Sequence, residues 1–194
     1  GIKLDIAGFT NLTEDHLDYH KTMENYLNSK LLILNHMKEN GVMISNIDDE
    51  YGIKFKYKNF KTLGFMNSDY HILDYNYTNL TTKITFSYNG LNYNVETNLL
   101  NKFNIYNYIT ALAFVNNLGI KIEDIIKITK DVFPPNGRNE IIKVGNSIAV
   151  IDYAHTPDAV EKIITSTLEK KKGKVITIVG CGGDRDPKKR PIMG

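Results

Sequence analysis

The chain has 194 residues, 42% hydrophobic and 24% charged, and its 24 basic and 22 acidic side chains leave a formal net charge of +2. That is enough apolar material for one large packed domain or two small ones, and too much for a disordered tail. No apolar run approaches the roughly 18 residues that span a bilayer, near-neutrality argues against a nucleic-acid partner, and the lone Cys181 excludes a disulfide framework or Cys-rich zinc site and points to a reducing, cytoplasmic setting.

Residues 4–10 read as a short, mostly apolar strand of a parallel sheet, followed by a polar loop over 11–21. Thr22 suits the cap of a helix over 23–39 that Asn40-Gly41 would end, and residues 42–46 form a further strand. From 61 to 97 the texture becomes strand-like, with strands over 70–77 and 81–88 and a type I′ hairpin signal at Asn89-Gly90. Helices follow over 104–118 and 122–132, the second with Glu123 and Lys127 spaced as an i,i+4 pair. Pro134-Pro135-Asn136-Gly137 marks a domain boundary. Beyond it lie a strand pair (139–144, 147–152), a helix over 157–171 with Thr156 as cap and Pro157 in its first turn, and a parallel-type strand over 175–180. The pattern is α/β in two pieces. A start at Gly1 without methionine, and a stop at Gly194 as a helix begins, read as an internal fragment.

Several segments hold chemistry-bearing residues. The loop after the first strand carries His16 and His20 among Glu14, Asp15 and Asp18, at a strand's C-terminal end, where open α/β sheets bind ligands. It is either a solvated polar loop or a site for a hard cation such as Mg²⁺; the H-x3-H spacing lacks the Glu that a zinc protease needs. Lys30 falls on the apolar stripe Met23, Leu27, Leu34, Met37 of its expected helix. It is either a snorkelling lysine or an amine held in a site, where the neutral form reacts with CO₂ to give a carbamate. Asn104 is an N-cap or, with Asn107 one turn on, a donor–acceptor pair of the kind that reads adenine. Arginine is scarce, at three residues: Arg138, Arg185 and Arg190. Its rigid fork of donors suits phosphates and carboxylates, so Arg138 at the boundary is either a surface salt bridge or a phosphate contact. Asp152, ending a strand, is placed like an acid that grips a nucleotide ribose. Gly180-Cys181-Gly182-Gly183 is a glycine loop with a basic tail, neither GxGxxG nor a P-loop, and Cys181 lacks a partnered His nearby.

Taken in order, "FTNLTEDHLDYHKTMENYLNSK" (9–30), "KFNIYNYITALAF" (102–114), "GRNEII" (137–142), "VIDYAHTPDA" (150–159) and "VGCGGDRDPKKRPIMG" (179–194) resemble the Mur ligases of peptidoglycan synthesis over nearly the whole chain. "DYAHTPD" followed by "GCGGDRD" resembles the members that add the third amino acid to UDP-N-acetylmuramoyl-L-Ala-D-Glu. The resemblance implies residues 1–136 as the rear of a central ATP-binding domain, with a β-rich segment, and 137–194 as the start of a Rossmann-like C-terminal domain. It implies ATP and Mg²⁺ as cofactors, the UDP-N-acetylmuramoyl dipeptide and an amino acid as partners, and no nucleic acid or membrane. A monomeric full-length enzyme is expected. The implied chemistry has two steps: the dipeptide carboxylate attacks the γ-phosphate, and the incoming amine then displaces phosphate from the acyl phosphate. Both steps develop anionic charge that cations offset.

On the same resemblance Lys30 matches the family's carbamylated, Mg²⁺-supporting lysine, and His16 its Mg²⁺-contacting histidine. Asn104 and Asn107 match adenine-side positions, Arg138 a phosphate contact, Asp152 the ribose acid, and Arg185 the contact to the incoming amino acid's carboxylate. Three positions depart from the family pattern. Lys21 and Asn101 stand where glycine is common, and Asn139 where an apolar residue is usual. The family's GxxxxGK[ST] phosphate loop is not among these residues, so the fragment by itself is expected to be inactive. Rival readings are another Mur step, a cyanophycin- or folylpolyglutamate-type ligase, or a non-catalytic nucleotide-binding module.

Overall fold

The computed structural model describes residues 1–78, 80–171, 173–181 and 189–194, and these fall into two units. The first comprises Gly1–Leu12 and Leu27–Phe133, the second Thr13–Tyr26 and Pro134–Gly194.

In the first unit β1 (Leu4–Phe9), β2 (Met37–Asn46), β3 (Asn59–Gly64) and β4 (Tyr70–Tyr77) run parallel in sequence order, as the apolar first strand foretold. β5 (Thr82–Tyr88) and β6 (Leu91–Thr97) extend the sheet antiparallel. The turn between them has Asn89 at φ 50° and Gly90 at φ 77°, both positive as a type I′ turn requires.

The helix expected over 23–39 is shorter. α1 (Leu17–His20) is one turn in the polar loop, α2 covers Met23–Leu31, a 3-10 segment follows over Leu32–His36, and Met37 already belongs to β2. The cause is tertiary. Leu4 pairs with Met37 and Ile6 with Val42, so two steps of β1 face five of β2, and the surplus containing Asn40-Gly41 bulges out. Interstrand hydrogen bonds here take the place of those a longer helix would make, overriding local propensity. The stripe that set Lys30 apart is therefore not one helix face: Leu34 lies in the 3-10 segment and Met37 in a strand.

α3 (Lys102–Asn117) packs on the sheet through Ile105, Tyr108, Ile109, Leu112 and Ala113, spaced i, i+3, i+4, i+7, i+8. They meet Ile44, Leu63, Tyr70, Ile72, Ile84 and Phe86, all buried, in the core of this unit. α4 (Ile122–Ile128) is shorter than expected because its last turn tightens to 3-10 over Thr129–Asp131. The anticipated Glu123–Lys127 pair is not the one formed. Lys127 bonds Asp124 at 2.8 Å, and Glu123 accepts from the Tyr93 hydroxyl at 3.3 Å.

The second unit holds the hairpin of β7 (Glu140–Val144) and β8 (Ser147–Ile151), then α5 (Pro157–Lys170). Thr156 caps α5 as expected, its hydroxyl accepting the Ala159 N–H. The strand expected over 175–180 is absent. Those residues have no regular structure, and Ile178 is 95% exposed. A parallel strand draws its hydrogen bonds from neighbours, and among the described residues β7 and β8 pair only with each other. The βαβ unit that the order strand, helix, parallel-type strand implies is thus not formed among the described residues. α6 (Lys189–Met193) closes the chain.

Lys21 adopts φ 67°, ψ −38°, a backbone that a side chain resists. Its side chain is exposed and bonds the Asp18 carbonyl, an interaction worth little in solvent. Lys21→Gly is therefore expected to stabilise the folded chain by about 1 kcal/mol, read as a higher urea midpoint. A lower midpoint would show that no strain is stored there.

Candidate functional site

In the first unit Asn104 and Asn107 lie where α3 begins. Asn101 precedes it at φ 80°, ψ 148°, a conformation that glycine tolerates best, and its side chain makes no cap hydrogen bond. Asn104 is therefore not the N-cap; it lies inside the helix, buried, and donates to the Leu100 carbonyl at 2.7 Å. Asn107 donates to Asn104 Oδ1 at 3.0 Å and is itself exposed. The helix thus joins the two asparagines into a ladder whose outer member faces solvent. Lys30 is half-buried in the last turn of α2.

Beside α3 lies a pocket of about 420 Å³ lined by Asp48, Phe65, Met66, Lys102 and Tyr106. The Lys102 ammonium sits 5.0 Å from the Phe65 ring centre, a cation–π distance. The sequence reading missed Asp48 and Tyr106. The available signal was position: Asp48 lies two residues beyond a parallel strand, and Tyr106 stands between the two asparagines.

In the second unit His16 sits in left-handed backbone, φ 55°, ψ 22°, with half its side chain exposed. Asp15 holds it from two sides: one carboxylate oxygen accepts the His16 N–H at 2.9 Å, and the other lies 3.3 Å from Nε2. His20 stacks on Tyr26, ring centres 4.7 Å apart. Among the described residues no three His, Cys, Asp or Glu side chains converge into a metal-binding group.

Arg138 and Asp152 are brought into one neighbourhood. The Arg138 guanidinium lies 4.5 Å from the ring centre of Tyr153, the residue after Asp152. Asp152 accepts the N–H of Asn139 at 2.7 Å on one oxygen and that of Ala154 at 2.8 Å on the other. Asn139 adopts φ 49° to make this bond, which accounts for a polar residue able to adopt left-handed backbone at that position. Each carboxylate oxygen keeps a lone pair for a hydroxyl partner. Tyr153, as the platform for the arginine, is a second residue the sequence reading did not single out. Arg185 lies outside the described residues.

Residues 1–115 match the family described as the Mur ligase middle domain, and residues 137–194 match the Mur ligase glutamate ligase domain. The UDP-N-acetylmuramoyl-L-alanyl-D-glutamate–2,6-diaminopimelate ligase 1 of Clostridium acetobutylicum is 38% identical, over 100% of this chain and 41% of its own length. The ligase of the same name from Bacillus cereus is 40% identical, over 100% of this chain and 42% of its own length. This chain therefore spans about two fifths of these relatives. A solved structure of a 2,6-diaminopimelate ligase of this kind superposes with a TM-score of 0.72 at 31% identity, over 97% of this chain and 40% of that one. The MurF ligase of Thermotoga maritima, solved in complex with ADP, gives a TM-score of 0.76 at 22% identity, over 86% of this chain and 39% of that one, a likeness of fold alone. With matching domain descriptions over both parts of the sequence, the chain belongs to the Mur ligase family.

Proposed function

We propose that this chain is part of an ATP-dependent ligase that joins 2,6-diaminopimelate to UDP-N-acetylmuramoyl-L-Ala-D-Glu, in the cytoplasm and as a monomer. The observation that carries the reading is identity of 38–40% along the entire chain to ligases named for that reaction. The motif resemblance supports the same step. Residues 1–136 serve as the rear of the ATP-binding domain and 137–194 as the start of the C-terminal domain. No helix among the described residues is long and apolar enough to cross a membrane, in keeping with soluble substrates.

The side chains divide the work by chemistry. The exposed amide of Asn107, steadied by Asn104, offers a donor and an acceptor to the adenine edge. Asp152 accepts the ribose hydroxyls with the lone pairs its two backbone bonds leave over. Arg138, seated over the Tyr153 ring, extends its donors to phosphate oxygens. Arg185 takes the carboxylate of the incoming amino acid. The motif resemblance supports a Mg²⁺ role for His16, which Asp15 holds, and separately for Lys30 as a carbamate. Either donor fits the ion, which keeps several waters and needs only one or two protein ligands beside phosphate. When bound, Mg²⁺ supplies positive charge against the phosphates as the acyl phosphate forms, with ADP as the product. Residues 1–194 lack the family's phosphate loop and by themselves are proposed to be inactive.

The test uses the full-length enzyme with ATP and the UDP-linked dipeptide. ADP release should require 2,6-diaminopimelate and favour it over L-lysine by at least about 100-fold in kcat/KM, since a site built for an extra charged group rejects the analogue lacking it. ADP release that ignores the amino acid, or a preference for lysine, would overturn the assignment. In the same enzyme Asp152→Asn should raise the KM for ATP by about tenfold, the loss of one charge-assisted hydrogen bond. An unchanged KM refutes the ribose contact.

A further inference from the structure

Asp48 is a carboxylate that none of the roles above uses, yet three hydrogen bonds converge on it beside α3. Its Oδ2 accepts the Phe65 N–H at 2.7 Å and the Tyr106 hydroxyl at 2.8 Å, and its Oδ1 accepts the Met66 N–H at 2.9 Å. Its own N–H donates to Asn46 Oδ1 at 3.1 Å, and Asn46 Nδ2 donates onward to the Thr10 carbonyl at 2.9 Å. The carboxylate is thereby tied to the C-terminal ends of three parallel strands. Gly64 makes room for it: a Cβ there would lie 2.6 Å from Asp48 Oδ1.

Only one of the three bonds reaches a helix. Tyr106 stands two residues after Asn104 and one before Asn107, and it is the donor that links α3 to this anchor. At about 100° per residue, Tyr106 points roughly 200° around the helix from Asn104 and 100° from Asn107. A directional bond on that side resists rolling of the helix about its axis, the motion that would swing the asparagine ladder. The start of α3 has no side-chain cap to do the same. Burial, followed by the hydrogen bond to and the charge on Asp48, pushes the Tyr106 phenol above its ordinary range, so the hydroxyl stays a donor. A bond from a hydroxyl to a carboxylate is about twice as strong as a neutral one.

We propose that Asp48 is a positioning residue for nucleotide selection: through the Tyr106 hydroxyl it sets the rotation of α3 and with it the aim of the Asn104–Asn107 pair at adenine. The role rests on the adenine contact proposed above. It acts on which nucleotide is accepted, since the bond it makes lies away from the face that carries the asparagines.

The experiment measures kcat/KM for ATP and for GTP with the full-length ligase. Tyr106→Phe removes one hydroxyl and keeps the ring beside Phe65, centres 5.6 Å apart. It should lower the ATP-over-GTP ratio by about tenfold and leave the KM for the UDP-linked dipeptide within about twofold. Asp48→Asn should lower the ratio at least as far, and the double variant no further than Asp48→Asn alone, because both changes remove the same bond. Asn107→Ala is the reference. If it lowers the ratio and Tyr106→Phe does not, the positioning role fails while the adenine contact stands. If Asn107→Ala leaves the ratio unchanged, both fall. An equal loss with both nucleotides on Tyr106→Phe marks a purely structural bond and also overturns the role.

Discussion

Lys30→Ala in the full-length ligase is expected to lower turnover by about 1,000-fold, the scale set by removing one preorganised group that offsets transition-state charge. The substitution should leave the fold alone. Alanine is the better helix former by a few tenths of a kcal/mol, Lys30 lies in the last turn of α2, and its side chain is only half-buried. A melting temperature within about 2 °C of the parent would separate lost chemistry from lost structure. If the lysine acts as a carbamate, what the variant lacks is an anionic oxygen at the end of a long stem. A short-chain carboxylic acid in the assay then restores part of the rate, and a primary amine does not. Normal turnover in Lys30→Ala would end the carbamate reading, and rescue by amine would replace it with a direct role for the ammonium.

The largest stability effect is expected at Phe86. The side chain is fully buried at the middle of β5, faces Ile72 of β4 and Tyr93 of β6 across the ladders, and stacks on the Tyr93 ring at 5.3 Å. Phe86→Ala removes the ring from a site enclosed on both sides, so the surrounding strands cannot collapse into the space. The expected cost is about 3–5 kcal/mol. For a domain held by roughly 5–15 kcal/mol this takes a large share of the total. Urea unfolding monitored by far-UV dichroism reads it as a shift in midpoint with an unchanged slope. A loss below about 1 kcal/mol would mean the cavity refills and the antiparallel extension is loosely packed.

Residues whose environment is local were legible in the sequence, and those decided by distant partners were not. The Asn89-Gly90 turn, the Thr156 cap with Pro157 behind it, and the strand over 70–77 each carry a local signal, and each was found where expected. The end of α2 depends on Leu4, more than thirty residues from Met37, and its helix-forming Lys38 and Glu39 gave no hint of a strand. Lys127 had two acids within reach, and Tyr93 decided between them by engaging Glu123. At the candidate site, the asparagine pair and Asp152 were visible as motif positions. Asp48 was not, because a carboxylate after a strand says nothing of the hydroxyl 58 residues away that it binds. Tyr153 escaped for a similar reason: its role depends on Arg138, fifteen positions earlier in the chain.

The positive-φ backbone at Lys21, Asn101 and Asn139 sets what each position tolerates. A torsion of that sign is selected by the turn and not by the side chain, so glycine and asparagine are expected to be the residues most readily accepted there. A β-branched residue at any of the three is expected to cost about 1–3 kcal/mol, whatever its polarity.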